Sequence, residues 1–277
     1  MRKFIAIFMI GCLMIGLTGC FIQDPGEKYP TYVFMEEGSY DLIRWEGLTF
    51  KIEKGYLEKE ERNLAAMQVE SALSAAKTYL SGWKMNPVEV VLNAGDGATM
   101  VYENLVDVYY AQNRDIPYTS LILQAMAGVE GVTDWIREGT GAYVADINKE
   151  SMLDTQGHMI ECLTTYAETE RKAESSNTEE ELYFDIDTLA HVLYTNQAYL
   201  EALEFGDLAA SIASIGYAQE AYNFRGAYCI YAGSFVHYLE SRFGRETVLR
   251  IYHGEDFTDL TGTSLEGTKM LWTETLK

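Results

Sequence analysis

Two neighbouring stretches decide how the chain is read. The first is Tyr118-Thr119-Ser120-Leu121-Ile122-Leu123-Gln124-Ala125-Met126-Ala127-Gly128. The second is Asp134-Trp135-Ile136-Arg137-Glu138-Gly139-Thr140-Gly141-Ala142-Tyr143. Ser120 to Gly128 is almost wholly apolar, which predicts a short helix buried on every side. Thr133 or Asp134 is placed to cap a second helix carrying Trp135, Glu138 and Tyr143.

Outward from this pair, the upstream chain alternates and the downstream chain does not. Tyr32 to Met35, Leu48 to Ile52, Val88 to Leu92 and Val106 to Tyr110 read as strands. Turns are expected at Glu37-Gly38-Ser39, Lys54-Gly55 and Asn93 to Gly97. Between them Ala65, Val69, Ala72, Ala76, Leu80 and Trp83 recur at three- and four-residue steps, predicting a long helix from Leu57 to Trp83. Downstream, helices are expected over Leu189–Phe205, Ala209–Ala221, Gly226–Phe243 and Thr247–Tyr252, and Thr263-x-x-Glu266 reads as the capping box of the last. The polar run Arg171 to Glu181 reads as a solvated loop or helix end. Strands with one long helix, followed only by helices, define an α+β fold. The expected division is an α+β lobe over 31–148, holding a small N-terminal sheet, and an all-helical lobe over 149–277.

The second stretch resembles the W-[LI]-x-E-G-x-A-x-Y signature of gluzincin-type (peptidase MA-like) metallopeptidases, with Gly141 where alanine is usual. Tyr231-Ala232-Gly233-Ser234-Phe235-Val236, Tyr238-Leu239, Phe243-Gly244 and Leu249-x-x-Tyr252 look like the helical lobe that follows in such proteins. In the family the preceding helix carries H-E-x-x-H. Two histidines bind zinc, the glutamate between them activates a metal-bound water, and the glutamate of E-G completes the site. This sequence contains no H-E-x-x-H and only four histidines, His158, His191, His237 and His253. In the favoured register Leu123 and Ala127 stand at the histidine positions and Gln124 at the general base. The competing register puts Thr119, Ser120 and Leu123 there. Neither supplies an imidazole, and glutamine takes no proton at neutral pH. The resemblance therefore implies a pseudo-peptidase with zinc lost, no catalytic residue and no metal ligand set. It leaves a degenerate cleft of Leu123, Gln124, Ala127, Glu138 and Tyr143. If Glu138 faces that cleft, Gln124 is expected to hydrogen-bond to it.

Other chemistry is thin. His158 and Cys162, four apart with Glu161 between, have ligand-like spacing but also suit an ordinary helix face. His237 and His253 read as structural. Tyr109, Tyr110, Tyr118 and Tyr143 either line a peptide- or glycan-binding groove or pack in the core. No phosphate-binding loop, nucleophile elbow or calcium loop occurs.

The N-terminus gives an address. Arg2 and Lys3 precede an apolar run from Phe4 to Leu17, and Leu17-Thr18-Gly19-Cys20 resembles a bacterial lipobox. Residues 1–19 are expected to be a cleaved signal, Cys20 the lipid-bearing residue and 20–30 a tether. The alternative is an ordinary signal peptide with a chance cysteine. Cleavage removes Arg2 and Lys3 and takes the net charge from -21 to -23. So acidic a chain repels phosphate backbones, which argues against nucleic acid as a partner. Cys162 and Cys229 either pair or remain two thiols. Three functions are carried forward. The first is an inactive gluzincin-like lipoprotein on the outer face of a bacterial cell membrane, binding an extracellular peptide, protein or glycan. The second is an active hydrolase with a rebuilt metal site at Glu138 and His158. The third is a transporter's solute-binding protein, disfavoured because the chain lacks two similar halves.

Overall fold

Alternation of apolar and polar residues builds the sheet. The structure, a computed structural model, describes residues 21–22, 30–95, 99–109, 116–150, 185–195 and 218–277. Strands β1 (Phe21–Ile22) and β2 (Thr31–Tyr32) form a two-residue ladder, so the expected tether begins with a short pairing. Then come β3 (Met35–Glu37), β4 (Tyr40–Trp45), β5 (Leu48–Glu53), helix α1 (Lys59–Tyr79), β6 (Val88–Asn93), β7 (Met100–Tyr102) and β8 (Leu105–Tyr109). The six-stranded sheet runs β3-β4-β5-β6-β8-β7, with β5, β6 and β8 parallel and the outer pairs antiparallel. Register aligns Phe50, Val90 and Val106 across the parallel strands. Those side chains, with Leu48, Ile52, Leu92 and Val108, are buried. The opposite face is polar, with a Lys51–Glu89 ion pair at 2.9 Å and an Asn93–Asp107 hydrogen bond.

Helix α1 follows its predicted stripe as far as its C-cap, with Ala65, Val69, Ala72, Ala76 and Leu80 all buried. It spans Lys59–Tyr79 and not Leu57 to Trp83, and Trp83 lies beyond it half-buried. Its start is fixed by Glu61, whose carboxylate accepts from the backbone N–H of Glu58 at 2.9 Å. Helices α2 (Tyr118–Ala127) and α3 (Asp134–Ile147) follow, then α4 (Ile186–Thr195), α5 (Ala218–Phe243), α6 (Arg245–Tyr252), α7 (Phe257–Thr261), α8 (Leu265–Thr273) and a closing 3₁₀ turn, Glu274–Leu276. The result is an α+β chain with an N-terminal sheet and long helix and a largely helical C-terminal part. One buried apolar cluster runs through both.

Several expectations need correction. Tyr32 to Met35 is not one strand; the chain pairs at Thr31–Tyr32, breaks, and pairs again at Met35–Glu37. Strands β4 and β7 were not expected. In β4 two consecutive residues, Leu42 and Ile43, are buried and blur the alternation, while β7 has only three residues. The break expected between Ala221 and Gly226 is absent, because one helix runs from Ala218 to Phe243. The last helix is capped by Ser264, which accepts from Gly267 N–H at 3.1 Å, one residue after the expected Thr263. Thr263 instead bonds the Thr268 hydroxyl at 2.7 Å. Cys20, Tyr110, His158, Cys162 and the polar run 171–181 lie outside the described residues. Among the described residues, no helix is long and apolar enough to cross a membrane.

Candidate functional site

Glu138 sits on α3 with its side chain between α2 and α5. Two glycines make that placement possible. A Cβ on Gly139 would stand 2.6 Å from the Ala232 carbonyl oxygen, so α3 and α5 touch backbone to backbone there. A Cβ on Gly141 would collide with the Ser120 hydroxyl and reach 3.2 Å from Gln124 Nε2. Glycine at 141, where the resembled signature has alanine, is thus what lets the polar face of α2 close on α3.

That polar face is Ser120 and Gln124, one helical turn apart. Gln124 Nε2 donates to Ser120 Oγ at 3.1 Å and to Glu138 Oε2 at 3.3 Å, using both hydrogens of its amide. Glu138 also accepts from Arg137 Nη2 at 3.3 Å through Oε1, and the Cys229 thiol on α5 lies 3.8 Å from Oε2. Arg137 is shared with Asp134, whose Oδ1 is 2.5 Å away. The carboxylate is 5% exposed, and its lost hydration is replaced by an amide, a guanidinium and a thiol. Burial comes first among the causes that push the adjacent Tyr228 and Tyr252 hydroxyls well above their ordinary pKa, so both rings stay neutral.

The expected hydrogen bond between Gln124 and Glu138 is present, but neither expected register describes the contact. Gln124 alone of α2 is seen to bond Glu138, and it is braced by Ser120 one turn earlier, with Leu121 following Ser120. Leu123 is fully buried in the apolar core. Ala127 lines a separate open cavity of about 370 Å³ at the far end of α2, with Asn86, Asn104, Glu130 and Tyr252. Thr119 is committed to Glu150, donating from its N–H at 3.0 Å and its hydroxyl at 2.5 Å. Tyr143 does not join Glu138. It meets Tyr79 edge-on at 6.3 Å and stacks on His237 at 5.1 Å. Its hydroxyl pKa is pushed up to about 12 by burial, then by Glu240, Asp146 and Asp187. Tyr118 is more deeply buried still, so these two are core rings and not a groove lining. Arg137 and Cys229 were not anticipated around Glu138. Arg137 adjoins Glu138 in sequence and gave a local signal; Cys229, 91 residues away, gave none.

The donor set does not suit zinc. An amide that turns its N–H toward Glu138 offers no lone pair there, a serine hydroxyl is a weak neutral ligand, and the Arg137 cation repels a dication. Among the described residues no three histidine, cysteine, aspartate or glutamate side chains gather where a metal could be held. His253 stacks flat on Trp83 at 4.8 Å and its pKa is lowered by burial, consistent with a packing role. Compared with protein-family models, curated protein sequences and solved structures, the chain finds no match in any of the three.

Proposed function

We propose that the chain is a lipid-anchored, extracytoplasmic bacterial protein on a gluzincin-like scaffold. It has given up metal-dependent hydrolysis and holds an extended peptide or another envelope partner. The observation that carries this reading is the occupancy of the Glu138 carboxylate by Gln124 and Arg137 in place of imidazoles and an ion. Helix order agrees with it, since the apolar helix α2 packs on the mixed sheet and the E-G helix α3 packs beside α2. A route for the partner is offered by β7, one of the two edge strands of the sheet among the described residues, whose Met100 and Tyr102 are exposed at 40% and 51%. Strand addition there would use the unpaired edge for main-chain hydrogen bonds. The hairpin turn after β7, Glu103–Asn104, borders the cavity at the end of α2, which leaves room for a partner side chain. Diacylation at Cys20 would contribute about 0.8 kcal/mol per buried methylene, so two chains hold the protein at the bilayer.

The test has three arms on the whole protein. Purified without added metal, it is expected to carry no stoichiometric zinc and to leave casein intact with or without chelator. Stoichiometric zinc, or cleavage abolished by chelator, overturns the inactive reading. Cys20→Ser is expected to move the protein from the membrane to the soluble fraction, and an unchanged membrane fraction removes the anchor. A Met100→Asp, Tyr102→Asp double variant is expected to lose the envelope proteins retained by the wild type; equal retention removes β7 as the docking edge.

A further inference from the structure

We propose that docking of α4 against α3 and α5 is a proton-dependent latch, closed by the imidazolium form of His237 and loosened when that ring loses its proton. Asp187, in the first turn of α4, accepts from Ser234 Oγ at 2.6 Å and from His237 Nδ1 at 2.7 Å, both on α5. Trp272 on α8 donates in turn to Ser234 Oγ at 3.2 Å. A second imidazole holds the same helix further along: His191 Nδ1 lies 2.7 Å from the Leu276 carbonyl oxygen. A carbonyl cannot donate, so His191 carries its hydrogen on Nδ1, and an ionised Asp187 sets the same tautomer in His237. In His237 the additional proton therefore enters at Nε2. Asp187, His191 and His237 all line one open pocket of about 440 Å³, and the His237 side chain is 40% exposed, so solvent reaches the ring.

What the latch secures is substantial. Ile186, Leu189, Ala190 and Leu193 of α4 are buried. The Ile186 side chain fills the space that a Cβ on Gly233 would take. The Ile186 N–H donates to Asp146 Oδ1 of α3 at 3.0 Å.

The charge around His237 is one-sided. It faces Asp187 from α4, Asp146 and the stacked Tyr143 from α3, and Glu240 from its own helix. The Asp187 hydrogen bond is the largest cause lifting its pKa above the ordinary 6.5, against the pull of partial burial. A raised value in the folded protein means that the contribution is complete below about pH 6.5 and fades as pH climbs through the folded value. Burial raises the Asp187 carboxyl, but the His237 and Ser234 hydrogen bonds outweigh it and hold the group below the ordinary 3.8. Its contribution is present above that pH and is lost as acid protonates it. The latch is tightest between the two limits.

Hydrogen exchange over residues 186–195 of the full chain tests this, at about pH 5.5 and about pH 8 and corrected for intrinsic exchange. Opening of α4 is expected to be about two- to fivefold more frequent at the higher pH, the effect of one partly exposed ion pair. His237→Gln keeps a donor toward Asp187 without a titrating proton and should flatten the profile. His237→Lys stays cationic and should keep opening low at both values. A flat wild-type profile overturns the latch, as does full pH dependence in His237→Gln. If His191→Gln abolishes the dependence while His237→Gln leaves it, the latch at His237 is equally overturned. Should His237→Gln fail to fold by circular dichroism, the NMR titration of His237 in the wild type decides, and a midpoint at or below 6.5 refutes it.

Discussion

Glu138 is almost fully buried, and Gln124, Arg137 and Cys229 are among the neighbours that stand in for the solvent it gave up. Removing it takes one acceptor from each, leaving Gln124 with Ser120 and Arg137 with Asp134. Glu138→Ala is expected to destabilise the protein by about 1–3 kcal/mol, read as a lower urea midpoint, because the Gln124 amide and Arg137 lose a buried acceptor. Glu138→Gln, which keeps one acceptor oxygen, should cost less. Equal midpoints for Glu138→Ala and the wild type would show that the carboxylate holds nothing together. The pairing of Gln124 with Glu138 was expected only through the favoured register of the resemblance, which set Gln124 at the general-base position; the hydrogen bond is present. The phase of α2 was not legible. An all-apolar helix has no amphipathic face to orient it, and the usable signal was the pair of polar residues one turn apart, Ser120 and Gln124.

Helix α3 is held between α2 and α5 by its two small-residue contacts, so the element tolerates little added bulk. Gly139→Ala would press a methyl group against the Ala232 carbonyl, and a backbone oxygen within a helix cannot turn away. The expected loss is about 1–3 kcal/mol, lowering the thermal midpoint by about 2–4 °C for each kcal/mol. A wild-type melting curve for Gly139→Ala would mean that α3 and α5 can part without cost. At this scale the sequence was legible wherever a repeat was long and one-sided. Helix α1 showed its stripe plainly, and β5 and β6 alternated cleanly. The edge strand β7 gave no pattern, because three residues without a buried member have no period to read. Gly226 suggested a boundary that the continuous helix α5 does not have, its residue being buried where a small side chain fits.

For the molecule as a whole, a net charge of -21 places like charges near one another over most of the surface. Self-repulsion of that kind is screened within a Debye length of about 10 Å at 0.1 M salt. Raising sodium chloride from about 0.01 to about 0.5 M is therefore expected to raise the thermal midpoint. A fall would show that specific ion pairs outweigh the general repulsion. The α+β class, with a sheet and long helix ahead of a largely helical part, was legible at this scale from periodicity, although β4, β7 and the unbroken α5 escaped it. Contacts between distant segments were not. Tyr252 donates to the Gly128 carbonyl at 3.1 Å, His253 stacks on Trp83, and Trp272 reaches back to Ser234. The closing pieces of the core thus come from residues more than a hundred positions after the sheet and the helices α1 and α2 that they cover. A nascent chain stalled before Tyr252 would leave the end of α2 uncovered, so this part of the core cannot close until that residue has been made.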